Sequence, residues 1–427
     1  MTPAVVLEGT PSVRRAPAAV GAVWALLVVN TLGSQGAQTV VPIPRPISQM
    51  VTMGAVVAAF ALALVLNPRL QVRPSAYLLL LSLLVVESIV SSVRLESGYG
   101  ALFRCVRFTF FVATLWLLTP WWHDWLAFVR HHVRAIAAVL VTVVIGLVVA
   151  PGLARPEVYG GRLVGAVWPL TPPQVGLYAA VVTGLTIMLW LCRLTDGRSV
   201  LFVATPAIVL LLLSHTRTAT IGLLAGLTVA SLSLALTSAR ARRVFTWSAL
   251  TAGLVAAVFG PALQAWFRRG QSQENLANLT GRQKVWDALL ATPRSPSDQL
   301  LGVGLTNKSF DGLPIDSSWL AVYQDQGLVG AVLVAAFMAT LVVVAVLRPP
   351  SPARACALFL VVYCLVSSYT EAGLGDASPY LLNLAAAAAL LARREPAAET
   401  PVNETPVAGT PPVAETPVTE TPPRGTG

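Results

Sequence analysis

The sequence predicts an all-α polytopic membrane protein with about 12 transmembrane helices. Of its 427 residues 55% are apolar and 11% are charged, and the mean hydropathy is +0.71. An ordinary soluble domain carries about 25% charged residues. Long apolar runs recur along the chain, and about 20 apolar residues form a helix that crosses the hydrocarbon core of a bilayer. Composition and run length together exclude a soluble globular domain.

Twelve apolar runs are predicted as membrane spans. They cover residues 18–34, 48–66, 75–93, 101–119, 134–151, 173–192, 199–214, 217–237, 245–262, 326–347, 353–370 and 378–392. Arginines cluster on alternate connections between the runs, and such positive charge marks the cytoplasmic connections. Both termini are therefore expected in the cytoplasm. This topology accounts for the formal net charge of +10, so we predict no nucleic-acid partner.

The two ends of the chain differ in composition from the spans. Residues 1–17 are expected to form a short cytoplasmic segment before the first helix. Residues 393–427 repeat a Glu-Thr-Pro unit and lack an apolar face, which is typical of a disordered tail. All but two of the 29 basic residues are arginines, a bias that suggests a GC-rich bacterial genome. We therefore expect the protein in a bacterial cytoplasmic membrane.

Cysteine and histidine give no sign of a metal or another cofactor. The four cysteines fall inside predicted spans, where they behave as small apolar groups, and we predict no disulfide. Three of the four histidines lie in "PWWHDWLAFVRHHVRA", at spacings that fit no zinc site. Its tryptophans and arginines instead favour an amphipathic segment on the inner membrane surface.

Arginine also occurs on the connections expected outside, against the charge rule. Arg162 lies between the fifth and sixth spans, Arg217 lies in the turn at residues 214–217, and Arg282 lies in the long loop over 263–325. A guanidinium carries a permanent charge and a planar fork of donors that matches phosphate oxygens, so converging arginines suit a pyrophosphate group. The alternative is that each side chain reaches a lipid phosphate.

The long external loop has an amphipathic helix and an aspartate near its end. The helix would begin at Arg282, with Val285, Leu289 and Leu290 on one side. Asp316 comes just before the helix that re-enters the membrane. It is either the N-cap of that helix or a general base.

Ionisable residues also occur within the early spans. Glu87 is expected either to pair with Arg104 or Arg107 or to face a cavity, because charge is costly in lipid.

Five segments between residues 160 and 375 carry a resemblance to a known family. They read "GRLVGAVWPLTPPQVG", "LLSHTRTATIGLLAG", "TGRQKVWDAL", "LLGVGLTNKSF" and "PIDSSWLAVYQDQGLVG". In this order they resemble the Arg-x-x-Gly segment, the Ser-Arg-Thr-Ala turn, the Gly-Arg-x-x-x-Trp element, the Gly-x-Gly turn and the Glu-x-Gly-x-x-Gly helix start of the O-antigen ligase and polymerase superfamily. The members of that superfamily assemble glycans from polyprenyl-pyrophosphate-linked sugars.

The resemblance implies an inverting, metal-independent glycosyltransferase of the GT-C type with an outward-facing active site. Arg162, Arg217 and Arg282 match arginines that hold the pyrophosphate of the lipid-linked glycan donor. Asp316 stands where the lipopolysaccharide ligases have a histidine, and it would take the proton of the acceptor glycan. Glu371 matches a family glutamate that would orient the acceptor or pair with an arginine.

Three functions follow from these features. Because residues 263–325 contain no histidine, we favour a polymerase that joins repeat units of a capsular or secreted polysaccharide, working with other assembly proteins. The first alternative is a ligase that transfers finished glycan to another acceptor. The second is a secondary transporter of a small anion, although the long external loop after the ninth span and the lack of a matched repeat argue against it.

Overall fold

The apolar runs form helices because a chain in lipid must satisfy its backbone hydrogen bonds within each segment. The computed structural model describes residues 17–33, 38–94, 99–268, 282–305 and 308–392. The predicted tail at 393–427 and nearly all of the predicted N-terminal segment lie outside these residues.

The described residues up to 235 form ten helices. The ninth of them continues a π-helical turn at Val200–Ala204. They are α1 (Ala18–Asn30), α2 (Arg45–Leu66), α3 (Ala76–Arg94), α4 (Tyr99–Leu118), α5 (Trp125–Val149), α6 (Pro151–Ala154), α7 (Pro172–Leu191), α8 (Gly197–Ser199), α9 (Thr205–Ser214) and α10 (Arg217–Ala235). Two 3-10 turns, at Thr119–Trp121 and Glu157–Tyr159, follow α4 and α6.

Six helices and one two-stranded hairpin make up the rest of the described chain. They are α11 (Ala239–Arg268), α12 (Arg282–Ala291), α13 (Pro296–Leu301), β1 (Ser309–Phe310), β2 (Leu313–Pro314), α14 (Ser318–Leu347), α15 (Pro352–Ser367) and α16 (Pro379–Ala392). The strands pair antiparallel, with Ser309 opposite Pro314 and Phe310 opposite Leu313.

The described chain is an all-α membrane protein with several spanning helices. Nine of its helical segments are long and apolar enough to cross a bilayer, and α1, α15 and α16 are shorter apolar helices. Each of the twelve predicted runs overlaps one of these helices. The bounds differ most at the start of α5, which begins at Trp125 and not at residue 134. They also differ around the predicted loop at 263–325, where α11 continues to Arg268 and α14 already begins at Ser318.

The predicted amphipathic segment around the histidines packs one side into the core, while Arg130 and Arg134 on its other side are exposed. The chain turns at Asp124, which caps α5, and Trp125 and His132 of that helix are buried. Nδ1 of His132 accepts a hydrogen bond from Nε1 of Trp24 at 2.9 Å, and its Nε2 lies 2.9 Å from Oδ1 of Asn383. The sequence did not reveal these contacts, because the partners come from α1 and α16 and a local pattern does not encode them.

Helix α7 lies at the centre of the bundle. Most of its side chains are buried, and it packs against α5, α9, α10 and α15. Phe359 of α15 fills the space that Gly184 of α7 and Gly226 of α10 leave open, since a Cβ at Gly184 would lie 1.9 Å from its ring and one at Gly226 would lie 2.8 Å from it. Small residues thus allow the three helices to approach closely.

The long connection between α11 and α14 packs against a break in α14. Gly327 has φ 62° and ψ −160°, which interrupts the helix. A Cβ on Gly302 would lie 2.5 Å from the backbone of residues 325–327, so this turn accepts only glycine. Of the predicted apolar face of α12, Leu289 is buried but Leu290 is 60% exposed.

Candidate functional site

Five separate segments of the chain meet at one end of the bundle, which we call the loop end. They are residues 155–171, the turn at 214–217, α12, the start of α14 and the connection 368–378. Hydrogen bonds join them directly: Leu163 N donates to Leu213 O at 3.0 Å, and Ser318 N donates to Ser368 O at 2.9 Å. All five predicted site residues lie on these segments.

The guanidinium of Arg162 is directed at the turn between α9 and α10. Gly160 and Gly161, both with positive φ, end the preceding 3-10 turn and set the path of the chain. Nε of Arg162 donates to Ser214 O at 3.0 Å, and Nη2 lies 3.4 Å from Thr216 Oγ1. Arg162 therefore lies next to the residues that position Arg217.

Arg217 is the first residue of α10 and follows a strained turn. His215 has φ 47°, in the left-handed region, and Thr216 is the N-cap residue. Thr216 Oγ1 donates to Pro172 O at 3.0 Å at the start of α7. Gly176 of α7 has no room for a Cβ, which would lie 2.7 Å from Thr216 Cβ. The turn is thus held against α7, and Arg217 begins the next helix from a fixed position.

Arg282 connects the two predicted carboxylates. Its Nε donates to Asp316 Oδ2 at 3.0 Å, and its Nη2 lies 3.8 Å from Glu371 Oε1. The side chain of Asp316 is 37% exposed and that of Glu371 is 15% exposed. Asp316 is not the helix cap, because Ser317 occupies the N-cap position of α14. Its carboxylate pairs with Arg282 across the loop instead.

The three arginines and two carboxylates form one electrostatic cluster. Burial lowers the pKa of Arg162, the charge of Glu371 raises it, and the charges of Arg282 and Arg217 lower it. Burial raises the pKa of Glu371 to about 7; Arg282 opposes this shift, Asp316 adds to it and Arg162 opposes it. Each of these effects requires the groups to lie close together.

The connection that carries Glu371 is fixed by residues that the sequence did not single out for this role. Oγ of Ser318 donates to Glu371 O at 2.6 Å and accepts from Gly373 N at 3.0 Å. The hydroxyl oxygens of Thr218 and Thr370 lie 2.7 Å apart, which joins the start of α10 to the same connection. Ser318 follows Asp316 in a stretch that reads as an ordinary helix start, so no sequence signal marks this role.

The charged residues predicted in the early spans do not form the expected ion pair. Nη1 of Arg104 donates to Leu305 O at 2.9 Å, and Nη2 of Arg107 donates to Ala377 O at 2.7 Å. The carboxylate oxygens of buried Glu87 have no hydrogen-bond partner among the described residues. Both arginines thus donate to backbone carbonyls near the loop end. They do not contact the cluster formed by the three predicted arginines and two carboxylates in any of these hydrogen bonds.

The cluster can bind an anion and exchange a proton at the same place. Guanidinium groups bind phosphate oxygens in a bidentate manner. Glu371, with a pKa of about 7, is present in both protonation states near neutral pH, as a general base requires. Within the described part of the chain, no group of three or more His, Cys, Asp or Glu side chains is arranged to hold a metal ion.

No protein-family model matches the chain, and no curated protein shows significant similarity to it.

Proposed function

We propose that this protein is a membrane glycosyltransferase that takes glycan from a polyprenyl-pyrophosphate donor and joins it to a sugar hydroxyl. The observation that carries the proposal is the convergence of Arg162, Arg217 and Arg282 with Asp316 and Glu371 at the loop end. These residues come from five segments spread over more than 200 positions of the sequence. An arginine that only reaches a lipid phosphate does not need to lie next to other arginines and carboxylates, so this grouping argues against the alternative.

The arginines would bind the pyrophosphate of the donor. As the bond between the donor sugar and the pyrophosphate breaks, negative charge develops on the leaving oxygen. Cations already in place stabilise that charge without reorganisation. Arg162 and Arg282 are held by hydrogen bonds to Ser214 O and Asp316, so their orientation is fixed before the donor arrives.

Glu371 is the residue we assign as general base. Its carboxylate would accept the proton of the acceptor hydroxyl, whose oxygen attacks the anomeric carbon of the donor sugar from the side opposite the pyrophosphate. The lipid pyrophosphate leaves with the electron pair, and the configuration at that carbon inverts. Asp316 is the more exposed carboxylate and is paired with Arg282 at 3.0 Å. We therefore give it the role of orienting Arg282, which reverses the order favoured by the sequence.

The proposed reaction is polymerisation of a bacterial capsular or secreted polysaccharide, on the outer face of the cytoplasmic membrane. The charge rule places the loop end outside. An aspartate stands in the loop where the resembling ligases have a histidine, which supports polymerase over ligase.

The lipid-linked glycans of a strain that lacks this gene test the proposal. The lipid-linked glycans would be extracted and their masses determined by mass spectrometry. The deletion strain would be compared with strains complemented by the wild-type gene, by Arg217→Ala and by Arg155→Ala. Arg155 is a matched control, because it is exposed on the same connection as Arg162 and its Nε bonds to the local Gly161 O.

We expect single repeat units to accumulate in the deletion strain and in the Arg217→Ala strain, but not in the Arg155→Ala strain. Accumulation of long chains still attached to lipid would assign a ligase instead. An unchanged glycan profile in the deletion strain would overturn the transferase proposal.

A further inference from the structure

Two aromatic rings lie beside the charged cluster and have no part in the proposed chemistry so far. Trp286 and Tyr369 meet edge to face, with ring centroids 5.6 Å apart and an interplanar angle of 78°. Trp286 lies four residues after Arg282 in α12, on the same helix face. Tyr369 comes two residues before Glu371. The pair therefore connects the two segments that carry Arg282 and the proposed base.

The ring of Tyr369 is exposed although its backbone is held firmly. The residue is 58% exposed. On one side Ser368 accepts from the backbone of Ser318, and on the other the hydroxyl of Thr370 contacts that of Thr218. A rigidly presented Tyr ring offers a large contact area at a low cost in conformational entropy. This is the arrangement of a binding surface that forms before its ligand arrives.

The indole N–H of Trp286 is an unused donor beneath this surface. Its Nε1 is buried and has no hydrogen-bond partner within the described residues. A buried donor normally finds an acceptor, so a missing partner calls for an explanation. The neighbouring aromatic side chains are already engaged: Trp319 Nε1 donates to Ser368 Oγ at 3.1 Å, and the guanidinium of Arg294 lies 4.9 Å from the ring centre of Tyr323.

We propose that Tyr369 and Trp286 form the subsite for the acceptor saccharide. A sugar ring has an apolar face of C–H groups that suits an aromatic ring, and hydroxyl groups around its edge that accept a hydrogen bond such as that of the indole. Stacking on Tyr369 would bring the attacking hydroxyl to Glu371, two residues away. This inference rests on the proposed function and adds to it where the acceptor binds.

The experiment measures transfer by purified protein in liposomes, with lipid-linked repeat units from the deletion strain as donor. The acceptor is the oligosaccharide that mild acid releases from the same lipid, labelled with a fluorophore and varied at a fixed donor concentration. The label distinguishes its transfer from the joining of donor units to each other. The variants are Tyr369→Ala, Tyr369→Phe and Trp286→Phe. Tyr99→Ala is the matched control, because this tyrosine is 93% exposed at the start of α4, on a different segment of the chain.

We expect Tyr369→Ala and Trp286→Phe to raise the acceptor KM on the order of 10-fold, with kcat and the donor KM within about two-fold of wild type. Tyr369→Phe keeps the ring and should behave as wild type, as should Tyr99→Ala.

An unchanged acceptor KM in Tyr369→Ala would overturn the inference while leaving the proposed function intact. The rings would then belong to an aromatic belt at the membrane surface. If the wild-type protein joins no units, the proposed function fails and this inference fails with it.

Discussion

At the scale of single residues, Arg282 has the most informative contacts. It bonds to Asp316, faces Glu371 at 3.8 Å, and its charge acts on both Arg162 and Arg217. The sequence predicted each of these five residues separately. The structure adds a difference between the two carboxylates: Asp316 is exposed and paired, while Glu371 is more buried and has its pKa raised to about 7. This difference is the reason why we propose Glu371 as the base.

The difference between the carboxylates predicts a pH dependence of the transfer rate. Because Glu371 must be deprotonated to act as base, kcat/KM should be low below pH 7, rise as the pH passes through about 7 and level off above it. Bound pyrophosphate adds negative charge nearby, so the rise in kcat should lie at a higher pH than the rise in kcat/KM. Initial rates across about pH 5–9 measure both profiles, a range of about two units on either side of the raised pKa.

Substitution of each carboxylate by its amide separates their roles. Glu371→Gln should lower kcat by about 100-fold or more, and the rise in rate around pH 7 should disappear. Asp316→Asn should lower it by less than about 10-fold, because a partly exposed ion pair contributes at most about 1 kcal/mol. The rise in rate with pH should remain but move to lower pH, because the charge of Asp316 no longer raises the pKa of Glu371. The opposite ranking of the two variants would return the role of base to Asp316.

At the scale of elements, the site is built from helix ends. The helices themselves are explained by apolar runs, but the ends are fixed by tertiary contacts: Thr216 to the start of α7, Thr218 to Thr370, and Ser318 to the connection after α15. Small residues make these contacts possible. Gly176 of α7 is the clearest example, because Thr216 occupies the space that a larger side chain would need.

Gly176→Ala should therefore damage the site more than the fold. Its Cβ would lie 2.7 Å from Thr216 Cβ, so the turn before Arg217 must shift. We expect at least a 10-fold lower transfer rate, since displacing a binding group by about 1 Å costs about 100-fold in well-oriented reactions. The thermal midpoint of the purified protein should fall by only a few degrees.

Gly54→Ala in α2 is the control, because nothing lies within 4 Å of its Cβ position. A normal rate in Gly176→Ala would show that the turn does not depend on this close contact.

At the scale of the whole molecule, the apolar surface is explained by lipid. Many large apolar side chains of α2, α3 and α11 are exposed, and the spanning part of α11 has no buried residues in its most apolar window. In water such a surface would cause aggregation, whereas in a bilayer it costs nothing. The loop end, with its charged cluster, then lies at one membrane surface.

The orientation of that surface can be measured by labelling single cysteines. In a variant without the four native cysteines, Thr292→Cys beyond α12 and Asp196→Cys between α7 and α8 are both at exposed positions. A maleimide that does not cross membranes should label Thr292→Cys in intact cells and label Asp196→Cys only after the cells are opened. The reverse pattern would place the cluster in the cytoplasm and contradict the charge rule.

The sequence by itself determined the membrane class and the position of each helix, because hydrophobic run length and the cost of unsatisfied backbone groups are local properties. It also pointed to Arg162, Arg217, Arg282 and Asp316, since charge is rare in such a chain, and the resemblance to a known family added Glu371. Only the tertiary structure decided what those residues touch. It assigned Asp316 to an ion pair and not a helix cap, separated Glu87 from its expected arginines, and buried His132 between α1 and α16. Each of these outcomes depends on a partner more than 30 positions away, and no local pattern encodes such contacts.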